Sequence, residues 1–452
     1  QVLPDEILYY SEEGSFGTMM QLGKIKEQIS EQGSANGWRE REHLDWYEYY
    51  DRFLDESGFR SAFPTVDHLT KRLGENLLYF HGRALENCRI SNIIDAYVLN
   101  GSASAATHTD VFDVYRNPGT EPVTLSYYMQ PLYAAVKLRN KVVPAGFAPV
   151  ADIFIINERN IQGKHDLELE LRGPANESLW RKTIPVNILG GEEYGQLLAE
   201  GVRLPPAEKH GYYDLRARIV SKGLTVCEGH DDIFAADYRS GPESPSRAAV
   251  IDTSGVVNAF LAESGRKALP VFDPARCIYD LIVVGAHDFR SLRRSLYEPV
   301  MEQVLNGATL VALANAEQWA EALSDVMGYQ SVQYSGTERW GTNGRLFVGK
   351  HRLLEGLPQA QAMGWEYQVF YEGNVQGLRL GRFGNETVVA LGAQHLKDIL
   401  TAVSVIPCGE GHIVLSTLDM LPHLNSKRPQ AATAKRLFAN FLEINQYSAV
   451  NE

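Results

Sequence analysis

The chain has 452 residues, of which 44% are hydrophobic and 22% charged, with a formal net charge of -13. That length exceeds what one core organises, so roughly two to four domains are expected. The acidic balance argues against a nucleic-acid or anionic-membrane partner, since both need a basic face. No run of about 18 apolar residues occurs, so no transmembrane helix is expected.

The chain opens on Gln1-Val2-Leu3-Pro4, without Met or a signal-peptide pattern, and a processed, nicked or truncated start is expected. Ile7-Leu8-Tyr9-Tyr10-Ser11-Glu12-Glu13-Gly14 is a short apolar strand ending in two carboxylates. Met19, Leu22, Ile25 and Ile29 recur at helical spacing. Asp45 to Leu54 is rich in aromatics and acids, with Trp46, Tyr47, Tyr49 and Tyr50 following Trp38. Leu69, Leu73, Leu77, Phe80, Ala84 and Leu85 predict one long helix over 66–92, with His81 inside it as a structural residue. Ile93 to Leu99 reads as a buried strand stopped by Asn100-Gly101. Strand, helix, strand in that order suits a parallel α/β layout.

From about 123 to 240 the pattern is all-β. Strands are predicted over 133–143, 150–157, 167–171, 212–220 and 223–238, with turns at Asn140-Lys141, Gly163, Gly173-Pro174 and Gly190-Gly191. Short strands with regular turns suggest an immunoglobulin-like sandwich. Residues 241–246, Gly-Pro-Glu-Ser-Pro-Ser, form a linker by composition. Continuous apolar runs at 248–252, 281–285 and 309–314 then mark central parallel strands, with a helix over 291–306 between them. Later strands are predicted at 388–391 and 413–417, and an amphipathic helix at 432–442. This last part is expected to be a doubly wound α/β domain. Cys88, Cys227, Cys277 and Cys408 form no Cys-x-x-Cys pair, so they read as buried small residues and not as a zinc or redox motif.

Paired carboxylates perform glycoside hydrolysis. Glu12 and Glu13 are adjacent on a strand, where side chains alternate faces, so they are not the two members of one such pair. Taken alone, a Glu-Glu-Gly strand end is more often a solvated surface.

Residues 1 to about 240 resemble the end of a glycoside hydrolase family 2 enzyme. Ser11-Glu12-Glu13-Gly14 is similar to the Thr-Glu-x-Gly segment carrying that family's nucleophile on the seventh barrel strand. The segment 89–101, Arg-Ile-Ser-Asn-Ile-Ile-Asp-Ala-Tyr-Val-Leu-Asn-Gly, resembles the eighth strand of a large β-galactosidase subgroup, and 111–118 its exit. The segments 128–133 and 136–142 resemble the first sandwich strands. The resemblance implies that 1–122 is the C-terminal part of a (β/α)8 barrel, 123–240 the sandwich, and 247–452 an appended domain. It implies a retaining β-glycosidase acting on β-galactoside-like substrates, with Glu12 as nucleophile. Glu13, Asp45, Trp46, Asn100 and His108 are then the substrate-binding candidates.

Two departures stand out. Ser102 occupies the place after Asn-Gly where the family usually has Trp, and small residues follow it. The family's acid/base Glu, in an Asn-Glu pair on the fourth strand, has no counterpart here. The expectation is a complementing chain or fragment carrying the earlier strands, over a fragment that never completes a barrel. An oligomer is expected, no cofactor is implied, and some relatives hold a metal ion near the site. Localisation stays open, with a periplasmic or extracellular setting favoured over a cytoplasmic one. The rival reading is a non-catalytic carbohydrate-binding or assembly subunit.

The last domain resembles the class I glutamine-amidotransferase-like fold, in 250–252, 279–285 and 306–312. Amidotransferases need a Cys at a strand-to-helix elbow plus a His. The elbow after Leu313 offers Ala314 and Asn315 instead, so a non-catalytic domain is expected.

Overall fold

The computed structural model describes residues 7–13, 20–99, 111–113, 115–241, 247–276, 278–288, 296–327, 332–334, 346–372, 375–380, 386–393 and 398–444. In chain order these open with β1 (Tyr9–Glu13), α1 (Leu22–Glu31), α2 (Trp38–Glu56), α3 (Val66–Ser91), β2 (Ala96–Leu99) and α4 (Val123–Tyr128). Eight strands follow: β3 (Leu132–Leu138), β4 (Val142–Pro144), β5 (Val150–Asn157), β6 (Gly163–Arg172), β7 (Ser178–Ile188), β8 (Gly195–Arg203), β9 (Gly211–Ser221) and β10 (Leu224–Ala236). The chain divides into two compact units, one from the described parts of 1–16 and 74–237, the other from those of 17–73 and 238–452.

The first unit contains a two-sheet sandwich. One sheet runs β4-β10-β9-β6-β7 and the other β3-β5-β8. Its core is the inward row of alternating residues, including Ile153, Ile155, Leu167, Leu169, Leu215, Ala217 and Ile219, all at most 1% exposed. Alternation puts every second side chain inward, as the sequence pattern requires. Tyr213, 2% exposed, sends its hydroxyl back to Lys209, accepting from the backbone N–H at 2.8 Å and donating to the carbonyl at 2.9 Å. This is a tyrosine corner, which fixes the turn into β9.

Four sequence expectations need correction. The 133–143 run is two strands in different sheets, since β3 pairs with β5 and β4 with β10. Residues 123–128, inside the stretch read as all-β, form the helix α4. Strands β7 and β8 were not foreseen; outer-face residues of β7 such as Leu179, 47% exposed, break the apolar alternation. The strand at 93–99 is shorter and not buried, with Ile93 58% and Val98 41% exposed.

Helix α3 lies over the sandwich through a nearly buried ionic cluster. Glu86 receives Lys137 Nζ at 2.9 Å and Arg83 Nη1 at 3.2 Å, and Asp231 receives Arg83 Nη2 at 3.1 Å and Lys141 Nζ. Burial pulls the Lys137 and Lys141 ammonium groups below their ordinary range, against the upward pull of the carboxylates. At the end of α3, Asn92 takes a left-handed φ of 53° and clasps Gly195 at the start of β8. Its side-chain oxygen accepts from the Gly195 N–H at 2.8 Å and its amide donates to the Gly195 carbonyl. A Cβ on Gly195 would stand 2.5 Å from Ile90 Cα, so only glycine permits this approach.

The second unit holds β11 (Ala248–Ile251), α5 (Val256–Glu263), β12 (Leu281–Val284), α6 (Tyr297–Leu305), β13 (Thr309–Ala312) and α7 (Ala316–Met327). Short strands β14 (Val332–Tyr334), β15 (Leu346–Val348), β16 (Gln361–Ala362) and β17 (Gly377–Arg379) precede β18 (Glu386–Ala393), β19 (Asp398–Cys408) and β20 (Gly411–Ser416). Two helices close it, α8 (Leu421–Leu424) and α9 (Ala432–Leu442). Strands β11-β12-β13-β20 are parallel, and β19, β18, β15 and β16 continue the sheet antiparallel. The apolar runs of β11, β12 and β13 are buried throughout, as strands covered on both faces must be. The described part of 17–73 joins this unit through rings: Phe53, Phe59 and Phe63 surround Phe347 at centroid distances of 5.4 to 6.3 Å.

Removing one partner of the buried cluster strands the others. Asp231→Ala is expected to cost about 3–5 kcal/mol of stability, read by urea unfolding; a loss under about 1 kcal/mol would mean the cluster behaves like a surface pair. His81, 1% exposed, has its pKa lowered to about 4 by burial. Its unfolded form binds a proton first, so stability falls as pH drops below the unfolded value of about 6.5 and levels off below about 4. His81→Leu is expected to flatten unfolding free energy between those pH values by roughly 2–4 kcal/mol; an unchanged pH slope would remove His81 as the cause.

Candidate functional site

The strand-end site is built by β1 and β2, which pair in parallel with Tyr9 opposite Ala96 and Tyr10 opposite Tyr97. The Asp95 carboxylate accepts from the Leu8 N–H at 2.8 Å, and the Asp95 N–H donates to the Leu8 carbonyl at 3.0 Å. The next paired residues are Glu13 and Leu99, so β1 carries one extra residue between Tyr10 and Glu13. A bulge at Ser11-Glu12 follows, and bulges interrupt the simple alternation of faces. The carboxylates therefore stand at the C-terminal end of a parallel strand, on an irregular stretch. Around them Ile7 is 82%, Tyr9 54% and Tyr10 44% exposed.

The structure does not gather the sequence candidates in one unit. Glu12 and Glu13 lie on β1 in the first, while Asp45 and Trp46 lie on α2 in the second. Asp45 is exposed. Trp46 is only 8% exposed and packs edge-on to His43 at 6.0 Å, so its ring is packing material and not an open sugar platform. Tyr47 carries Lys26 Nζ 4.0 Å from its ring centre, and the Tyr49 hydroxyl accepts from the Ile399 N–H. Trp38 is 65% exposed, with the Arg39 guanidinium 5.0 Å from its ring. Asn100, Ser102 and His108 lie outside the described residues.

In the second unit the elbow after β13 is real. Asn315 takes φ 55°, and its side-chain amide donates to the His287 carbonyl at 3.3 Å. No cysteine stands there. Cys408 ends β19 and is buried, which pushes its thiol pKa up. Cys277 lies outside the described residues.

Sequence reading did not single out the outer face of the five-stranded sheet. A groove of about 550 Å³ there is lined by Tyr127, Glu168, Glu170, Arg181, Arg218 and His230, among others. Arg218 meets Glu168 at 2.9 Å and Arg181 meets Glu170 at 2.8 Å. Alternation along 167–171 already sent Glu168 and Glu170 outward; their partners depend on cross-strand register, which composition does not reveal.

No family model matches the chain, and no curated protein does. Among solved structures, a glycosyl hydrolase family 2 member from Bacteroides cellulosilyticus is 12% identical, covering 43% of this chain and 28% of its own, at a TM-score of 0.20. A β-D-mannosidase from Dictyoglomus thermophilum is 8% identical over 34% of this chain and 18% of its own, at 0.27. The Amycolatopsis orientalis exo-chitosanase is 16% identical over 35% and 18%, at 0.24. The chain thus spans less than a third of the length of each. Its structural neighbours include glycoside hydrolases, at a level of likeness that carries no argument about activity.

Proposed function

We propose that this chain is the C-terminal portion of a family 2-like retaining β-glycosidase. The observation that carries the reading is the parallel β1–β2 pair, with Glu12-Glu13 at the C-terminal end of β1, where barrel enzymes keep their chemistry. Glu12 attacks the anomeric carbon of a β-galactoside-like substrate, and Glu13 is held for substrate contact. A carboxylic acid on further barrel strands, in this polypeptide or another, protonates the leaving oxygen and then activates water. Those strands would also cover Ile7, Tyr9, Ile93 and Val98, whose exposure is otherwise costly. In this reading the sandwich is immunoglobulin-like, which the parallel β4–β10 pairing and the Tyr213 corner support. The domain over 247–452 is amidotransferase-like and non-catalytic, supported by an elbow that presents Asn315 in place of a thiol. Ser102, standing where the family has Trp, favours a second reading, a non-catalytic carbohydrate-binding or assembly subunit.

Native mass spectrometry and hydrolysis of nitrophenyl β-glycosides separate the two. For the enzyme, material containing all barrel strands is expected to turn over, and Glu12→Gln to lower kcat by at least about 10³-fold. Glu13→Gln is expected to retain far more activity. Turnover that survives Glu12→Gln would remove Glu12 as nucleophile, and a folded, complete assembly without turnover would favour the binding reading.

A further inference from the structure

The outer face of the five-stranded sheet is laid out in cross-strand rows. In one row Glu168 stands opposite Arg218, which stands opposite Glu228. In the next, Arg181, Glu170, Arg216 and His230 follow one another across β7, β6, β9 and β10. Each carboxylate in these rows faces a cation, as directly opposed residues should. The third row breaks the rule. Asp214 on β9 stands directly opposite Asp232 on β10. Arg172, its neighbour on β6, turns instead to Glu170 and Asn176.

His230 shares a face with Asp232, two residues along β10, and lies diagonal to Asp214. One ligand atom from each of Asp214, His230 and Asp232 lies within 4.8 Å of the other two. Asp214 Oδ1 is shut off from solvent and faces His230 Nδ1 at 3.3 Å, the two atoms a shared cation would bridge. The other carboxylate oxygen is held by Arg216 Nε at 2.5 Å, which orients the group and leaves Oδ1 for a cation.

We propose that Asp214, His230 and Asp232 form a binding site for a divalent first-row transition ion of the zinc class, clasping β9 to β10. One imidazole and two carboxylates suit such an ion better than calcium or magnesium, which prefer all-oxygen shells. Three protein ligands leave a further position for water. The ion replaces the missing cation of the third row. This site is independent of the glycosidase reading.

Calorimetric titration of zinc chloride into the intact, chelator-stripped chain near neutral pH tests it. One tight equivalent is expected, with affinity lowered at least about tenfold by His230→Gln and by Asp232→Asn. Asp232→Asn also removes the like-charge pair. Without metal it is expected to melt at or above the wild-type temperature, and to lose the zinc-induced rise in Tm. Absence of stoichiometric zinc binding, binding that persists in both variants, or calcium or magnesium binding as tight as zinc would each overturn the proposal.

Discussion

The first unit depends on keeping five charges together where water is scarce. Glu86 and Asp231 are 2% and 4% exposed at their side chains, and Arg83, Lys137 and Lys141 are 13%, 21% and 19% exposed. Two carboxylates alone at that depth would carry a large desolvation cost. Three cations from α3, β3 and the β3–β4 turn make their burial tolerable, and the match works for one seating of the helix. Close apolar contacts fix the same seating, since a Cβ on Gly82 would stand 1.9 Å from the Tyr128 ring. Burying ions in this way secures geometry more than stability.

The candidate site inherits that seating. Helix α3 ends at Ser91, Asn92 locks its exit onto Gly195, and Arg89 fixes the same turn by donating to the Tyr128 and Gln130 carbonyls and to Glu158 at 2.6 Å. Strand β2 starts four residues after Asn92, and β1 is held against it by Asp95 and the parallel ladder. Strand β1, which carries Glu12, is thus held through β2 to the end of α3. Parallel pairs are normally covered on both faces. Here Ile93 and Val98 read as core in the sequence and stand open in the structure. The burial encoded in Ile-Ile-Asp-Ala-Tyr-Val-Leu is not supplied by the described residues.

What was legible followed from periodicity. The apolar recurrence of α3 every three to four residues, the continuous runs of β11, β12 and β13, and the closing helix at 432–442 were all readable, because burial on one stripe or on both faces writes itself into spacing. Strands β7 and β8 were not, since their outer-sheet positions mix charge with exposed Leu179 and Leu197. The bulge at Ser11-Glu12 was invisible for a different reason. It exists only relative to β2, and a pairing register is a property of two strands, not one. The charge rows of the sandwich share that origin.

In the second unit the polar groups at the strand ends are committed to backbone. The C-terminal ends of β11, β12 and β13 bring forward Asp252, Gly285, His287 and Asn315, where open parallel sheets place ligands. Asp252 is committed elsewhere. One oxygen accepts from the Ser254 N–H at 3.0 Å and its hydroxyl at 2.6 Å, and the other from the Val257 N–H at 2.9 Å at the start of α5. Gly285 must stay glycine, because a Cβ there would meet the same carboxylate at 2.7 Å. The left-handed residue after β13, Asn315, is an amide that tolerates positive φ and donates to a carbonyl. Polar groups at these strand ends therefore fasten backbone, Asp252 to the start of α5 and Asn315 to the His287 carbonyl.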